Sequence, residues 1–405
     1  MAKDRFSDNP YPDVQVSDDD RRVLIDLVSG FVDDNFQEFD EFVEIDQQIV
    51  DERRWKLAKS RDNQHVYAAR SRDGNFQPWQ TVGGNDGKPQ GKALLSVLGV
   101  GTFRGDLDDL MFGAVNPTQD NMRVKASYVG DIDSAAILCP VVEPSDEAPF
   151  QSLIIKWMTI DLPLQSTRVG YYLLHSIEFP ATKPLPNTIR GNLSAFTFFR
   201  QIDDNVIDYY SRGTFDIGGG IKRFMWFSTA VETVLSIAKY VQCGEMKKLS
   251  WMLQQNHGAL KRKSHMQSAH CSMCEKSILC PMSGKQLVGS STCKLCYGPL
   301  CRSCKIKKRL TFIELDGKLD KRKVSFCATC ITKATELSAE LAAREQAMGY
   351  NVHKRLKSIS STTSSQTDIS ENSSFLEAIM EESDEDEDIP LLSDLSPSEA
   401  IPMVF

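Results

Sequence analysis

The chain has 405 residues, room for two or three domains, and its net charge of −8 is unevenly distributed. Residues 256–357 carry 20 basic and 7 acidic side chains, whereas residues 358–405 carry 12 acidic and no basic ones. No signal-peptide core and no run of eighteen apolar residues occurs, so we expect a cytoplasmic protein without a membrane-spanning helix. The basic middle favours an anionic partner: a membrane surface, a nucleic acid or the acidic tail itself.

The first 92 residues predict a helix, a strand pair and a loop. Residues 1–16 are polar and are expected to form a flexible arm. Ser17 and the aspartates after it are typical of a helix start, and apolar residues recur at helical spacing to about residue 50, which predicts one or two helices. Residues 55–57 and 65–70 flank a turn-like segment and predict two strands, and residues 73–92 predict a loop.

The middle of the chain predicts further strands and a long helix. A strand is expected over 94–104, a short helix over 106–112, and more strands over 152–159, 171–178, 196–201 and 206–212. The strand at 171–178 is apolar on both faces, which is typical of a strand that is covered on both sides or lines a cavity. After Gly218–Gly220, apolar residues at helical spacing predict a helix over 224–241, extended or followed by a segment at 246–260. This helix is expected to pack on a sheet, and it could also cover a lipid cavity.

This order of elements resembles the START family of lipid-binding domains over residues 17–255, most closely from Asn192 to Ala230. The resemblance implies an α+β helix-grip fold, in which a curved antiparallel sheet wraps a long C-terminal helix around an apolar tunnel. It also implies a lipid or sterol ligand in that cavity. A domain of this fold that has lost its ligand would instead bind or regulate other proteins.

Eight of the eleven cysteines form four CxxC pairs between residues 271 and 330. Two such pairs provide the four ligands of a tetrahedral zinc ion, so the four pairs predict two zinc ions. A disulfide scaffold is the alternative, but repeated CxxC pairs in a chain without a signal peptide favour metal. Only four residues separate the second pair from the third, which favours an interleaved, cross-brace arrangement. In it, pairs one and three hold one ion, and pairs two and four hold the other.

The cysteine framework resembles the FYVE zinc-finger family, with a finger expected over residues 271–335. The sequence departs from the family where lipid is bound. Gly289–Thr292 stand in place of the family's basic Arg-Arg/Lys-His-His motif, and Ser325 stands in place of an arginine. The resemblance implies one site formed by Cys271, Cys274, Cys301 and Cys304, and a second formed by Cys293, Cys296, Cys327 and Cys330.

Two groups of residues in this finger predict membrane binding. Leu287 and Val288 lie where the family's apolar loop enters a bilayer, although local packing would also explain them. Five cations follow the third cysteine pair closely, and each cation near an anionic membrane contributes about 1 kcal/mol. A solvated surface is the alternative for these cations, which are Arg302, Lys305, Lys307, Lys308 and Arg309.

The segments around the finger complete the predicted organisation. Residues 256–270 are a basic linker, and residues 336–352 are expected to form a trailing helix. Residues 353–405 are rich in Ser, Asp and Glu and are expected to be a disordered acidic tail. The charge of the tail would let it cover the basic middle of the chain.

Together, these features predict a non-catalytic peripheral membrane adaptor. It would bind a lipid through the START-like domain and dock on anionic, phosphoinositide-bearing endosomal membranes through the zinc finger. The alternative is a cytosolic scaffold that binds protein partners and has lost lipid recognition in both domains. We see no paired carboxylates, nucleophile elbow or phosphate loop of an enzyme. The cysteines lack the histidine of a RING-like ubiquitin ligase, and the basic middle lacks the interleaved aromatic residues that would favour nucleic acid.

Overall fold

The computed structural model describes both predicted domains. The described residues are 9–11, 14–70, 95–129, 132–160, 170–177, 182–183, 185, 189–216, 223–260, 269–279, 287, 289–313, 318–348 and 403–404.

Helix α1 (Asp18–Glu44) begins at the predicted helix start. The Ser17 Oγ accepts a hydrogen bond from the Asp20 backbone N–H at 3.1 Å, and the three aspartates of the first turn face the positive end of the helix dipole. The segment forms one helix, which ends before residues 45–50. Phe39 and Phe42 are its buried aromatic residues.

The main sheet has six antiparallel strands in the order β1-β2-β3-β9-β8-β6. These strands are β1 (Trp55–Arg61), β2 (Gln64–Ala69), β3 (Leu95–Arg104), β6 (Gly170–His175), β8 (Asn192–Asp203) and β9 (Val206–Asp216). The predicted strand pairs at 55–70 and 196–212 are therefore confirmed as hairpins.

A second sheet contains β4 (Ile132–Val142), β5 (Leu153–Ile160), β7 (Ile189–Arg190) and β14 (Met403–Val404), in the order β4-β5-β14-β7. Within the described part of the chain, β5 and β6 do not pair with each other. The two sheets are therefore separated at this point. Apart from Met403 and Val404, the predicted acidic tail lies outside the described residues.

Helices cover both faces of the main sheet. On one face, α1 packs Phe39 and Phe42 against Leu98, Phe198 and their neighbours. The other face packs against α2 (Leu107–Ala114), α4 (Arg223–Leu235) and α5 (Lys239–Leu260). Successive residues of β3 point to opposite faces, so both faces of this central strand are apolar. The antiparallel sheet and the C-terminal helices form the predicted α+β helix-grip arrangement.

The helix predicted over 224–241 and the segment predicted over 246–260 correspond to α4 and α5, which are separated at residues 236–238 rather than after residue 241. The chain turns at residues 236–238, where the Ser236 hydroxyl donates a hydrogen bond to the Thr233 carbonyl at 2.8 Å. Hydrogen bonds of this kind compete with helical ones and favour a break. Of the helices in the described residues, none is both long and apolar enough to cross a bilayer.

The cysteine-rich module contains two short hairpins and helices. The small hairpin pairs β10 (Ser291–Thr292) with β11 (Pro299–Leu300), and the larger one pairs β12 (Ile306–Ile313) with β13 (Leu319–Phe326). Helix α6 (Ala328–Glu336) follows, and residues 339–348 form a further helix, α7. The trailing helix predicted over 336–352 corresponds to α7, which is separated from α6 at Leu337.

The module packs directly on the helix-grip domain. Met246, Leu249 and Leu253 of α5 share one apolar cluster with Leu310 and Phe312 of β12. The Thr311 backbone N–H donates a hydrogen bond to the Tyr128 hydroxyl at 2.7 Å, and the Lys321 ammonium donates to the Ser127 carbonyl at 2.6 Å. Helix α5 is therefore part of both hydrophobic cores.

A buried ion pair joins the same elements. The Lys248 Nζ lies 2.7 Å from an Asp109 carboxylate oxygen and donates to the Leu337 carbonyl at 3.0 Å, beyond the end of α6. Burial raises the pKa of Asp109 to about 7, although Lys248 opposes this shift. Lys247 donates to the Phe112 and Val115 carbonyls at the end of α2, and burial lowers its pKa to about 8. Two lysines of α5 thus satisfy carbonyl groups beside α2 and α6.

Helix α3 (Gln119–Val129) and strand β4 are among the elements that were not predicted from the sequence. Helix α3 buries Arg123 and Lys125, so its inward face does not show the apolar repeat of an amphipathic helix. Strand β4 contains Pro140, which lies beside a shift in the strand register. Proline lacks a backbone donor and is found in strands mainly at edges and bulges.

Candidate metal centres and ligand cavities

The structure brings the eight paired cysteines together in two groups of four. The sulfur atoms within each group lie within 4.8 Å of one another. One group contains Cys271, Cys274, Cys301 and Cys304, and the other contains Cys293, Cys296, Cys327 and Cys330. These are the groups that the interleaved arrangement predicts.

The spacing of the sulfur atoms fits a tetrahedral metal ion. The Cys274 and Cys301 sulfurs are 3.7 Å apart, and the Cys296 and Cys327 sulfurs are 3.8 Å apart. A tetrahedral ion with metal–sulfur bonds of about 2.3 Å places its ligands about 3.8 Å apart. Both groups can therefore hold a metal ion, and four thiolates are a ligand set that zinc prefers.

The first CxxC pair of each group lies in a backbone turn of the same geometry. The Cys271 N–H donates to the Lys276 carbonyl at 2.8 Å, and the Cys293 N–H donates to the Gly298 carbonyl at 2.9 Å. In each turn the residue four positions after the cysteine has a positive φ, 59° at Glu275 and 60° at Tyr297. This repeated geometry explains why two unrelated sequences present their sulfur atoms alike.

Backbone donors favour the thiolate that a metal requires. Burial raises the pKa of Cys271, but N–H groups directed at its sulfur, including those of Met273 and Cys274, outweigh burial and lower the pKa to about 6. A hydrogen bond from the Cys296 thiol, with backbone N–H groups, lowers the pKa of Cys293 to about 5. His270 pairs its backbone with Ser277 and belongs to neither group.

Three of the five predicted cations, Lys307, Lys308 and Arg309, lie on two faces of the larger hairpin, whereas Arg302 and Lys305 precede it. Lys307 and Arg309 alternate with Lys308, so Lys308 lies on the opposite face, which carries Leu310. Arg309 is directly opposite Lys323 in the strand register. Lys321 and Lys323 were not among the predicted membrane-binding residues. They are two residues apart in β13, a spacing that places both side chains on one face of the hairpin.

The residues that replace the family's basic motif are part of the small hairpin. Ser291 is buried, and its hydroxyl has no hydrogen-bond partner among the described residues. Gly289 has φ +83°, which favours glycine, and lies against the side chain of Arg302. Leu287 is 44% exposed, as an apolar membrane-binding residue would be. Val288 and Cys280 lie outside the described residues.

The described residues leave a cavity of about 30 Å³ between the main sheet and α4, lined by Val97, Thr197, Ser211, Thr233, Val234 and other residues. This is the location where the resemblance implies a lipid or sterol tunnel. The cavity that the described residues form there is too small for a lipid.

A larger cavity, of about 160 Å³, lies under α1 where the two sheets separate. Helix α1 contributes Leu24, Leu27, Val28 and Phe31, and β5 contributes residues 153–158. Leu173, Leu174 and His175 of β6 also line it, so this strand borders a cavity, which is one of the two alternatives that its sequence left open. Because its residues come from distant segments, sequence patterns did not locate this cavity.

No family model matches the chain, and no curated protein matches it. Several solved structures are similar to it. Human StAR-related lipid transfer protein 5 is 12% identical with a TM-score of 0.35, and the match covers 55% of this chain and 98% of that one. Human STARD10 is 11% identical with a TM-score of 0.35, covering 61% and 86% of the two chains.

A StAR-related lipid transfer protein fragment from Xanthomonas axonopodis is 15% identical with a TM-score of 0.28, covering 46% of this chain and 96% of that one. Similarities at this level carry no conclusion about the ligand or partners of this chain.

Proposed function

We propose that this protein is a non-catalytic, cytoplasmic lipid-binding protein that attaches to anionic membranes, including those of endosomes. The cavity under α1 supports the ligand-binding part of the proposal. It has about 160 Å³ of space and is lined mainly by aliphatic and aromatic side chains. An apolar cavity of this kind favours an apolar ligand, because burial removes the ligand's hydrocarbon surface from water.

The larger hairpin supports the membrane part of the proposal. Arg309 and Lys323 are paired directly across the strands, and like charges in this position destabilise a sheet. Attachment to an anionic membrane would contribute about 1 kcal/mol for each cation near the membrane surface. Two zinc ions, held by the two cysteine groups, would fix the hairpin against α5.

Ligand binding is tested on the full chain by native mass spectrometry after purification. We expect a bound apolar molecule of low mass in the wild type. Val28→Phe places a larger side chain in the cavity and is expected to abolish this extra mass without changing the number of zinc ions. Wild-type protein without any bound apolar molecule, even after incubation with lipid extract, would contradict the proposal.

Membrane binding is tested by flotation with vesicles of phosphatidylcholine alone or with phosphatidylserine. We expect the full chain to float only with the anionic vesicles. Arg309→Glu/Lys323→Glu is expected to lose flotation, whereas Lys56→Glu/Arg104→Glu reverses two exposed charges on the other domain and is expected to retain it. Equal flotation of both double variants would count against the hairpin as the binding surface.

A protein-interaction scaffold is the second candidate function. The cavity of about 30 Å³ under α4 and the loss of the basic motif at Gly289–Thr292 favour it. A scaffold would contain no apolar ligand and would not float with either vesicle. The two experiments above therefore separate the candidates.

A further inference from the structure

The lining of the cavity under α1 includes hydrogen-bond donors that have no partner among the described residues. Trp157 and Arg190 both line the cavity, and the Trp157 Nε1 and Arg190 Nε are buried without a hydrogen-bond partner among the described residues. A buried donor without a partner loses its hydration and gains nothing in return. Two such donors in one cavity therefore indicate a missing acceptor.

The charge around the cavity favours an anionic acceptor. The Arg190 Nη2 donates to the Ile177 carbonyl at 2.9 Å, and no carboxylate of the described residues forms an ion pair with this guanidinium. The described lining includes Lys156 as a second cation and contains no aspartate or glutamate. Arg190 and Lys156 are partly buried, and removing part of a cation from water without an anion is unfavourable.

Tyr11 also lines the cavity and packs on the same apolar cluster as Trp157, and its hydroxyl is a further polar group. It donates a hydrogen bond to the Lys183 carbonyl at 3.0 Å. Burial raises the pKa of Tyr11, and the charge of Arg190 partly offsets this increase, so the phenol and the guanidinium are close enough to interact. We call Arg190, Trp157 and Tyr11 the polar end of the cavity. They provide a cation, an indole N–H and a phenol.

The rest of the cavity limits the size of the ligand. Leu24, Leu27, Val28 and Phe31 of α1 form its apolar wall. An apolar cavity of about 150 Å³ in another protein holds one benzene molecule. A ligand with an apolar part of about six carbon atoms fits this space, whereas a sterol or a diacyl lipid does not.

We infer that the cavity under α1 binds a compact, apolar monocarboxylate, with its carboxylate hydrogen-bonded to Arg190 and Trp157 and its hydrocarbon part against α1. The inference deepens the proposed ligand-binding function and rests on it. The site is distinct from the space between the sheet and α4. Arg190 provides charge and a directional donor, and carboxylates are preferred acceptors for such groups.

The test compares hexanoate with 1-hexanol, which share a hydrocarbon tail and differ in charge. Dissociation constants are measured on the zinc-loaded full chain by saturation-transfer NMR at pH 7.5. We expect hexanoate to bind at least about tenfold more tightly than 1-hexanol, because the charged head gains charge-assisted hydrogen bonds.

Three variants assign the preference to the polar end. Arg190→Met should remove the preference for hexanoate and leave 1-hexanol binding unchanged, and Trp157→Phe should weaken hexanoate several-fold. Trp251→Phe is the matched control: its Nε1 is also buried without a partner among the described residues, but the side chain packs near Phe112, outside this cavity. It should leave both constants unchanged.

The outcomes distinguish this inference from the proposed function. Equal binding of the two probes, or a preference that survives Arg190→Met, overturns carboxylate recognition while ligand binding stands. If neither probe binds, and the wild type carries no extra mass that Val28→Phe removes, the cavity is not a ligand site and both proposals fail. Circular dichroism of each variant shows whether the fold is retained.

Discussion

Cys327 shows how a single residue connects the metal group to the fold. It belongs to the second sulfur group, and it is also the N-cap of α6. The Cys330 N–H donates to its sulfur at 3.3 Å, and the Ile331 N–H donates to its carbonyl at 3.1 Å. The positive end of the helix dipole favours a thiolate at this position. A metal ion bound to Cys327 would therefore also fix the start of α6.

The first prediction at this scale concerns the number of metal ions. We expect native mass spectrometry to show two zinc ions per chain in the wild type and one in Cys293→Ser, because the variant lacks one of four ligands in the second group. Cys139→Ser is the matched control, since Cys139 lies in a separate apolar cluster, and it should retain both ions. Two ions in Cys293→Ser would contradict this ligand assignment.

A second residue-scale prediction concerns pH and His175. Burial lowers the pKa of His175 below its ordinary value of about 6.5, so the folded protein binds fewer protons there than the unfolded chain. The associated stability is complete above about pH 6.5 and is lost as the pH falls towards the folded-state pKa. We expect the Tm to fall less between pH 7.5 and 5.5 in His175→Gln than in the wild type. An equal decrease would show that His175 does not contribute.

At the scale of elements, α2 and α5 cross at two glycines. A Cβ at Gly113 would collide with the Tyr240 carbonyl oxygen, and one at Gly244 would collide with the Asp109 carbonyl oxygen. The backbones can approach this closely only because both residues lack side chains. The close crossing also places Lys248 of α5 beside Asp109 of α2.

We therefore expect Gly244→Ala to destabilise the protein by about 1–3 kcal/mol, because a methyl group would force the helices apart. Gly30→Ala is the matched control. Gly30 lies in α1 and has no atom within 4 Å of the added Cβ, so this substitution should stabilise by about 0.5–1 kcal/mol through helix propensity. Urea unfolding of both variants measures the difference. A neutral Gly244→Ala would indicate that α2 and α5 can separate without cost.

At the scale of the whole molecule, α5 links the helix-grip domain to the cysteine-rich module. One part of α5 contributes Tyr240, Val241 and Cys243 to the core under the sheet. Another part contributes Met246, Leu249 and Leu253 to the core that contains Cys271 and Cys293. The buried Asp109–Lys248 pair lies at this junction, and removing one partner of such a pair costs about 3–5 kcal/mol.

Metal removal is therefore expected to affect both domains. Chelation of the metal should expose the apolar face of α5, because the metal supplies most of the folding free energy of a module of this size. We expect hydrogen exchange to increase at residues 246–253 as well as in β12 and β13, while β8 and β9 in the main sheet retain their protection. Increased exchange confined to the cysteine-rich module would show that α5 does not depend on the metal.

The main features of the sequence-based fold prediction depend on local patterns. Ser17 with its following aspartates determines the start of α1, alternating apolar residues determine the hairpins, and the four CxxC pairs with their short gap determine the two sulfur groups. These signals arise from neighbouring residues, because a cap, a pleated strand or a zinc turn involves only a few consecutive positions. The apolar pattern of β6 left a choice between coverage on both sides and a cavity, and it did not indicate that α1 covers this strand.

Only the tertiary structure decided where a ligand could bind and how the two domains are joined. Arg190, Trp157 and Tyr11 come from three distant segments, and nothing in their local sequence indicates that they meet at one cavity. Likewise, the buried Arg123 and Lys125 interrupt the apolar repeat of α3, so its sequence does not predict an amphipathic helix. The absence of a side chain at Gly244 matters only because α5 crosses α2 there. Packing between distant segments determines cavity volume, burial and unpaired donors, so the site under α1 and the shared role of α5 could not be read from local patterns.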